Sequence, residues 1–287
     1  MRYAAPTSVS EATRLLTDEP GLSKILAGGT DILVQLKAGL AEPDLLVDIK
    51  HIDGIYDIIP ENGGYRIGAA VPGAALGEHA GVKALWPGVV EALELIGSTQ
   101  VQGRATMAGN LCNASPAADS IPAMVAASAV ARVNGPEGER DCPVQDIPLS
   151  PGRNSLAKGE FITSILLPAR PAHASDAYLR FIPRTEMDIA VVSAGVSLAL
   201  DDSGVCTEAR VAIGAVAATV LLVDAAADCL IGTKLDEAAL DAMGQACSAA
   251  ATPISDKRGT VEFRKDVVAV LAKRAAKIAH TRAGEQS

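Results

Sequence analysis

Ala27-Gly28-Gly29-Thr30-Asp31 lies between a short apolar run, Lys24–Ala27, and a stretch at helical spacing, Ile32–Ala38, that Gly39 stops. Two successive glycines between a strand and a helix let the backbone adopt positive φ and come close to a ligand. The helix that follows offers unpaired N–H groups and a positive dipole end, which suit a diphosphate. Taken alone, the pentapeptide is more often an ordinary strand–helix connection. A second stretch has the same character: Thr106-Met107-Ala108-Gly109-Asn110-Leu111-Cys112-Asn113-Ala114-Ser115-Pro116-Ala117-Ala118-Asp119-Ser120. Thr106, Asn110, Asn113 and Ser115 supply donors without bulk, and Asp119 can accept from a hydroxyl such as a ribityl or ribose group. The chain has no G-x-G-x-x-G and no G-x-x-x-x-G-K-S/T phosphate loop.

Outward from these stretches, strand and helix signals alternate. Ser8–Leu16 reads as an amphipathic helix capped by Ser8, with Glu11 three residues on. Leu45–Ile49 reads as a strand, as does Tyr65–Ala69 after the turn Asn62-Gly63-Gly64. Pro87–Ile96 reads as a helix, with Pro87 in its first turn. Ser98–Ser120 has weak periodicity and reads as a long polar loop. Apolar character returns at Ile121–Val133, and Phe161–Leu167 reads as a strand. Pro168 and Pro171, among small residues, mark the best boundary, which divides the chain into domains at 1–168 and 175–283. Beyond it come strands at Tyr178–Ile182, Ala190–Leu200 and Cys206–Ala212, with a hairpin turn at Asp201-Asp202-Ser203-Gly204. Helices at Asp236–Ala250 and Val261–Arg282 complete a smaller C-terminal α+β domain.

Composition narrows the function. The 287 residues are 49% hydrophobic and 21% charged, enough for a real core without disulfide staples. A net charge of −9 with 3% aromatics argues against nucleic acid, which asks for cations and rings. No apolar run reaches the ~18–20 residues of a membrane span, and the first twenty residues lack a secretory signal, so a cytoplasmic location is expected. Cys112, Cys142, Cys206, Cys229 and Cys247 are scattered, without C-x-x-C, and read as reduced, mostly buried thiols. His51, His79, His173 and His280 are isolated. Neither zinc nor an iron–sulfur cluster is suggested within this chain, and no metal ligand is assigned.

Taken together, Ala27–Asp31, then Ile96-Gly97-Ser98-Thr99-Gln100, then Thr106–Asp119 resemble the FAD-binding subunit of the molybdenum hydroxylases. That family includes xanthine dehydrogenase, aerobic carbon monoxide dehydrogenase and 4-hydroxybenzoyl-CoA reductase. Tyr178-Leu-Arg180-Phe-Ile-Pro-Arg184-Thr-Glu-Met-Asp188-Ile-Ala190 and Asp256-Lys-Arg258-Gly259 to Phe263-Arg264 extend the resemblance to about Ala283. It implies an α+β, non-Rossmann FAD-binding fold of the vanillyl-alcohol oxidase type. It further implies that Ala27, Gly28, Gly29, Thr30 and Asp31 grip the diphosphate with Thr106, Ala108, Gly109 and Asn110. Ser115 and Asp119 belong to the same motif; Ile162 falls where the family sets an apolar residue against the cofactor, and Arg180 where it often has a basic one. The family usually has Gly-Gly-Asn where this chain has Ala108-Gly109-Asn110, a methyl that fits if φ at Ala108 is negative.

In that family a molybdenum-cofactor large subunit hydroxylates the substrate, an iron–sulfur small subunit relays electrons through [2Fe-2S] clusters, and FAD passes them to an external acceptor. The resemblance therefore implies a heterotrimer, or a dimer of heterotrimers, in which this chain carries FAD and no catalytic acid or base. Two other readings compete: a self-sufficient FAD-dependent oxidoreductase, which needs catalytic side chains over the flavin, and a non-redox nucleotide-binding scaffold.

Overall fold

The computed structural model describes residues 1–285. Arg2–Ala4 (β1), Ser23–Leu26 (β2) and Leu45–Asp48 (β3) form a parallel sheet in the order β1-β3-β2. Its crossovers hold two helices, Val9–Asp18 (α1) and Ile32–Lys37 (α2). Ser8 caps α1 by accepting from Glu11 N at 3.2 Å, while the Glu11 carboxylate accepts from Thr7 N at 3.0 Å. All four residues of β3 are buried, as the middle strand of a parallel sheet should be.

Next come Ile58–Glu61 (β4) and Gly64–Gly68 (β5), joined by Asn62 and Gly63, both at positive φ (50° and 80°). Four helices follow at Gly73–Glu78 (α3), Ala80–Leu85 (α4), Pro87–Glu94 (α5) and Thr99–Gln102 (α6). Then come Met107–Asn113 (α7) and Ser120–Ala126 (α8). The segment expected as a long loop is thus largely helical. Thr106 Oγ1 caps α7 by accepting from Gly109 N at 2.9 Å, and Met107, Ala108 and Leu111 turn inward. Gly109, Asn110 and Asn113 are poor helix formers, so packing and the cap, not propensity, decide the conformation. Val130–Gly135 (β6), Gly138–Pro143 (β7), the small hairpin Pro148–Ser150 (β8) with Arg153–Asn154 (β9), and Phe161–Leu167 (β10) complete this part. The larger sheet is antiparallel, in the order β4-β5-β10-β6-β7.

The rest of the chain begins with Ala174–Phe181 (β11), a strand expected only from Tyr178, and continues through Val192–Leu200 (β12), Cys206–Gly214 (β13) and Leu221–Leu222 (β14) as an antiparallel sheet. The turn at Asp201 is held by its Oδ1, which accepts from Ser203 N and Val205 N at 2.9 Å. Asp224–Asp228 (α9), Glu237–Ala250 (α10) and Val261–Glu285 (α11) cover one face. Buried Ala272, Ala275, Ala276, Ala279 and Ala283 give α11 a smooth stripe that lies close on β11 and β12.

Two hydrophobic clusters organise the chain. One gathers Val47, Ile67, Leu93, Leu111, Met124, Phe161 and Ile165; the other gathers Val196, Leu198, Val211, Ile213, Leu240, Met243 and Leu271. The seam between them is keyed: α5 and α8 pack on β11–β13, and polar bonds cross beside that packing. Tyr178 and Arg180 on β11 reach Asp119, Ala215 N donates to Pro116 O at 2.8 Å, and Arg210 donates to Val125 O at 3.1 and 3.2 Å. Pro122 sits in a notch in the C-terminal sheet: a Cβ on Gly195 would lie 2.7 Å from its carbonyl oxygen, and one on Gly214 2.6 Å from its ring. Arg264, buried at the start of α11, donates to Val191 O, Ala215 O and Asp256, tying three segments together just beyond the seam.

Candidate cofactor site

A cavity of about 820 Å³ opens between the parallel sheet and the antiparallel one. That is at the upper end of the roughly 300–1,000 Å³ typical of ligand sites, room for an extended dinucleotide. One wall is β2 and the loop Ala27, Gly28, Gly29, Thr30 and Asp31, continued by Ile32 and Gln35 of α2. The facing wall is Thr106, Ala108, Gly109, Asn110, Cys112 and Asn113. The floor includes Ile49, Ala69, Phe161 and Ile162, and a third side is the segment around Asn154, Leu156 and Lys158. Ten of the residues expected from the sequence therefore face one space: Ala27, Gly28, Gly29, Thr30, Asp31, Thr106, Ala108, Gly109, Asn110 and Ile162.

The two glycines of the first loop do different work. Gly29 has φ +82°, a conformation that glycine adopts freely and side chains resist. Gly28 has no such φ; instead, a Cβ there would fall 1.9 Å from the carbonyl oxygen of Arg104. The expectation was room for a ligand at both positions; at Gly28 the space already holds the backbone of the opposite wall. Arg104 Nε returns a bond to Gly28 O at 3.2 Å, so the two walls meet backbone to backbone. Ala108 lies in the first turn of α7 with negative φ, and its methyl is accommodated. Asn110 accepts through Oδ1 from Ser120 N at 3.3 Å and Ser120 Oγ at 2.6 Å.

Ser115, Asp119 and Arg180 do not line this cavity. Ser115 Oγ accepts from Ala117 N at 3.3 Å within its own turn. Asp119 is buried, with Oδ1 accepting from Tyr178 Oη and Oδ2 from Arg180 Nη1, each at 2.7 Å. Burial pushes its carboxyl up to about 6, against the pull of Arg180 and Tyr178. Ser23, Lys24, Gln35, Asn154 and Lys158 also line the cavity, beyond the residues the sequence marks. β2 adjoins the first glycine loop in the chain, but only the fold brings the β8–β9 hairpin and the 156–160 turn to it.

The lining suits a large ligand with both apolar and polar parts. Ile25, Ile49, Ile96, Phe161 and Ile162 offer apolar surface, while Lys24 and Lys158 share the lining with Asp31, Glu42 and Glu160. Ser23 Oγ is buried on this wall without a protein partner. The acids are not poised for proton transfer: Glu160 is held by Arg140 at 2.8 Å, and Asp31, its carboxyl raised by burial, accepts from Asn113. Burial pushes the Cys112 thiol up to about 12, which keeps it from acting as a thiolate. No group of three or more His, Cys, Asp or Glu able to hold a metal occurs among the described residues.

Comparison with known proteins gives the same picture. Residues 1–170 match the model described as the FAD binding domain in molybdopterin dehydrogenase, and residues 177–279 the CO dehydrogenase flavoprotein C-terminal domain. The chain is 32% identical over 281 residues to the carbon monoxide dehydrogenase medium chain of Afipia carboxidovorans, covering 98% of this chain and 97% of that one. It is 29% identical over 274 residues to a putative xanthine dehydrogenase FAD-binding subunit of Escherichia coli K12, covering 95% and 93%. It superimposes on the solved carbon monoxide dehydrogenase chain from Hydrogenophaga pseudoflava with a TM-score of 0.94 at 30% identity, covering 98% of each. With both family models matched in order, near full-length relatives and one shared fold, the chain belongs to the FAD-binding flavoprotein family of the molybdopterin dehydrogenases.

Proposed function

We propose that this chain is the FAD-binding subunit of a molybdenum hydroxylase complex. Ala27–Asp31 and Thr106–Asn110 hold the diphosphate, Ile162 packs on the cofactor, and Ser115, Asp119 and Arg180 support the Thr106–Asp119 wall from behind. The observation that carries the reading is the cavity itself: two glycine-bearing walls, from distant parts of the chain, converge on one space of dinucleotide size. FAD, when bound, supplies a carrier that accepts single electrons and gives up a pair. The chain's own residues bind it, exclude water from its face and add no acid or base. Electrons would come from [2Fe-2S] clusters of a small subunit, fed by a molybdenum-cofactor large subunit, and leave to an external acceptor. The assembly would be a heterotrimer, possible to double about a two-fold axis. We place the domain division between residues 168 and 175 and the complex in the cytoplasm; no helix among the described residues is long and apolar enough to cross a membrane.

The test is tagged purification from the native host with flavin, iron and molybdenum analysis. Stoichiometric FAD together with an iron–sulfur chain and a molybdenum chain is the expected result. A colourless chain excludes the flavoprotein reading. In a second arm, the FAD-loaded chain is mixed anaerobically with aldehydes and aromatic heterocycles. Flavin absorbance should bleach only after the two partner chains are added. Bleaching by substrate alone would establish a self-sufficient oxidoreductase instead.

A further inference from the structure

The six residues of α2 are unusual for a helix so rich in apolar side chains. None of them is buried, and Leu33 and Val34 are 48% and 64% exposed. The helix is flanked by two glycines in the left-handed region, Gly29 at φ +82° and Gly39 at +67°. Packing alone does not explain what keeps it on the cavity. Two side-chain bonds do: Asn113, at the end of α7 on the opposite wall, donates from Nδ2 to Asp31 Oδ1 and accepts at Oδ1 from Gln35 Nε2, each at 3.2 Å. All three residues line the cavity.

The direction of these bonds is fixed by chemistry. An ionised carboxylate only accepts, so the amide nitrogen of Asn113 must face Asp31. That leaves the Asn113 oxygen for Gln35, whose own amide nitrogen must then point to Asn113. One residue thus orients both the end of the glycine loop and the middle of α2. We infer that Asn113 is a positioning residue, a clasp that holds α2 as a strap across the cavity and slows the escape of bound FAD. This rests on the FAD reading above. The clasp acts on the rim and touches neither Gly28, Gly29 nor the Thr106 cap. Its loss should open the way in and out alike, because a strap across one path slows passage in both directions along it.

The experiment follows flavin release from the FAD-loaded full-length chain, by the fluorescence regained on dilution, alongside the association rate measured with apo-chain. Asn113→Ala should release FAD about tenfold faster and take it up faster by a similar factor, so that the dissociation constant moves less than about twofold. Asn113→Asp is the decisive variant. It keeps the shape but sets a carboxylate against Asp31, so it should release FAD faster than Asn113→Ala; a residue that merely fills space would give the reverse order. Gln35→Ala, on the exposed helix, should resemble Asn113→Ala and add less than its full effect in the double variant, because both break one network. It also gives a readout if Asn113 variants fold poorly. Release at the wild-type rate from Asn113→Asp and Gln35→Ala, with the wild-type chain binding FAD normally, overturns the clasp and leaves the cofactor reading intact. A wild-type chain that binds no FAD overturns both.

Discussion

A chain carrying Gly28→Val is expected to leave purification without flavin and to take up none when FAD is added. The cause is steric and cannot be relaxed by a rotamer. Any Cβ at this position falls 1.9 Å from the Arg104 carbonyl oxygen and 2.7 Å from its carbon, so one backbone segment must move away from the other. That displacement separates the two walls where they touch. Gly28→Ala should therefore be nearly as damaging as valine. Gly29 behaves differently: its φ of +82° penalises a side chain, but the atoms nearest a Cβ are the ends of Leu26 and Leu33, at 3.0 Å. Gly29→Ala carries a left-handed backbone cost of about 1–2 kcal/mol, or roughly five- to thirtyfold in affinity if it falls on the bound state. Gly29→Val adds β-branching in a region where branched residues are outliers, and should also abolish binding. The measurements are flavin content after purification, titration with FAD, and a thermal melt to show that the fold persists. Full flavin occupancy in Gly28→Val would remove the first loop from the site.

The second large effect concerns the seam. Asp119→Ala strands the buried Arg180 guanidinium and the Tyr178 hydroxyl, and breaking a buried pair in this way costs about 3–5 kcal/mol. The pH dependence gives a finer test through Asp119→Asn. The folded carboxyl titrates at about 6 against an ordinary 3.8, so between these values the native state holds a proton that the unfolded chain releases. Its contribution is fully present below the lower value and is lost as pH rises through the upper one, a change of about 3 kcal/mol. Asparagine does not titrate. Urea unfolding of both proteins at pH 4.5 and pH 7 should show the wild type losing about 2 kcal/mol relative to Asp119→Asn. Parallel pH profiles would mean that Arg180 keeps the carboxylate ionised throughout.

What could be read from the sequence was local. The Ser8 cap, the Asn62-Gly63 turn, the stop at Gly39 and the apolar run Phe161–Leu167 each announce themselves within a few residues, and the structure has all four. The helices of segment 98–120 do not announce themselves, because α7 depends on a threonine cap and all of them on neighbours far along the chain. The site was legible to the same extent. Gly28 and Gly109 stand out as residue types, but not that Gly28 would pack on Arg104, nor that Asn154 and Lys158 would arrive from a third direction. Tyr178 and Arg180 belong to one motif and Asp119 to another, and nothing local says that they bond. Asn113 looked like one more donor in a polar stretch; its role needs α2 across from it.

The notch that receives Pro122 has one glycine on β12 and one on β13, strands joined by a tight hairpin. A slip of one residue in either strand turns every side chain to the other face. It would bring Ala194 or Val196, or Ile213, to where Gly195 or Gly214 now leaves room, and α8 could not seat. The notch is therefore a gauge: it admits the helix that backs the cofactor wall only when the hairpin has paired in one register. During synthesis α8 emerges long before β12 and β13, so it must wait for a correctly read template. A mispaired hairpin would leave α8 without its seat.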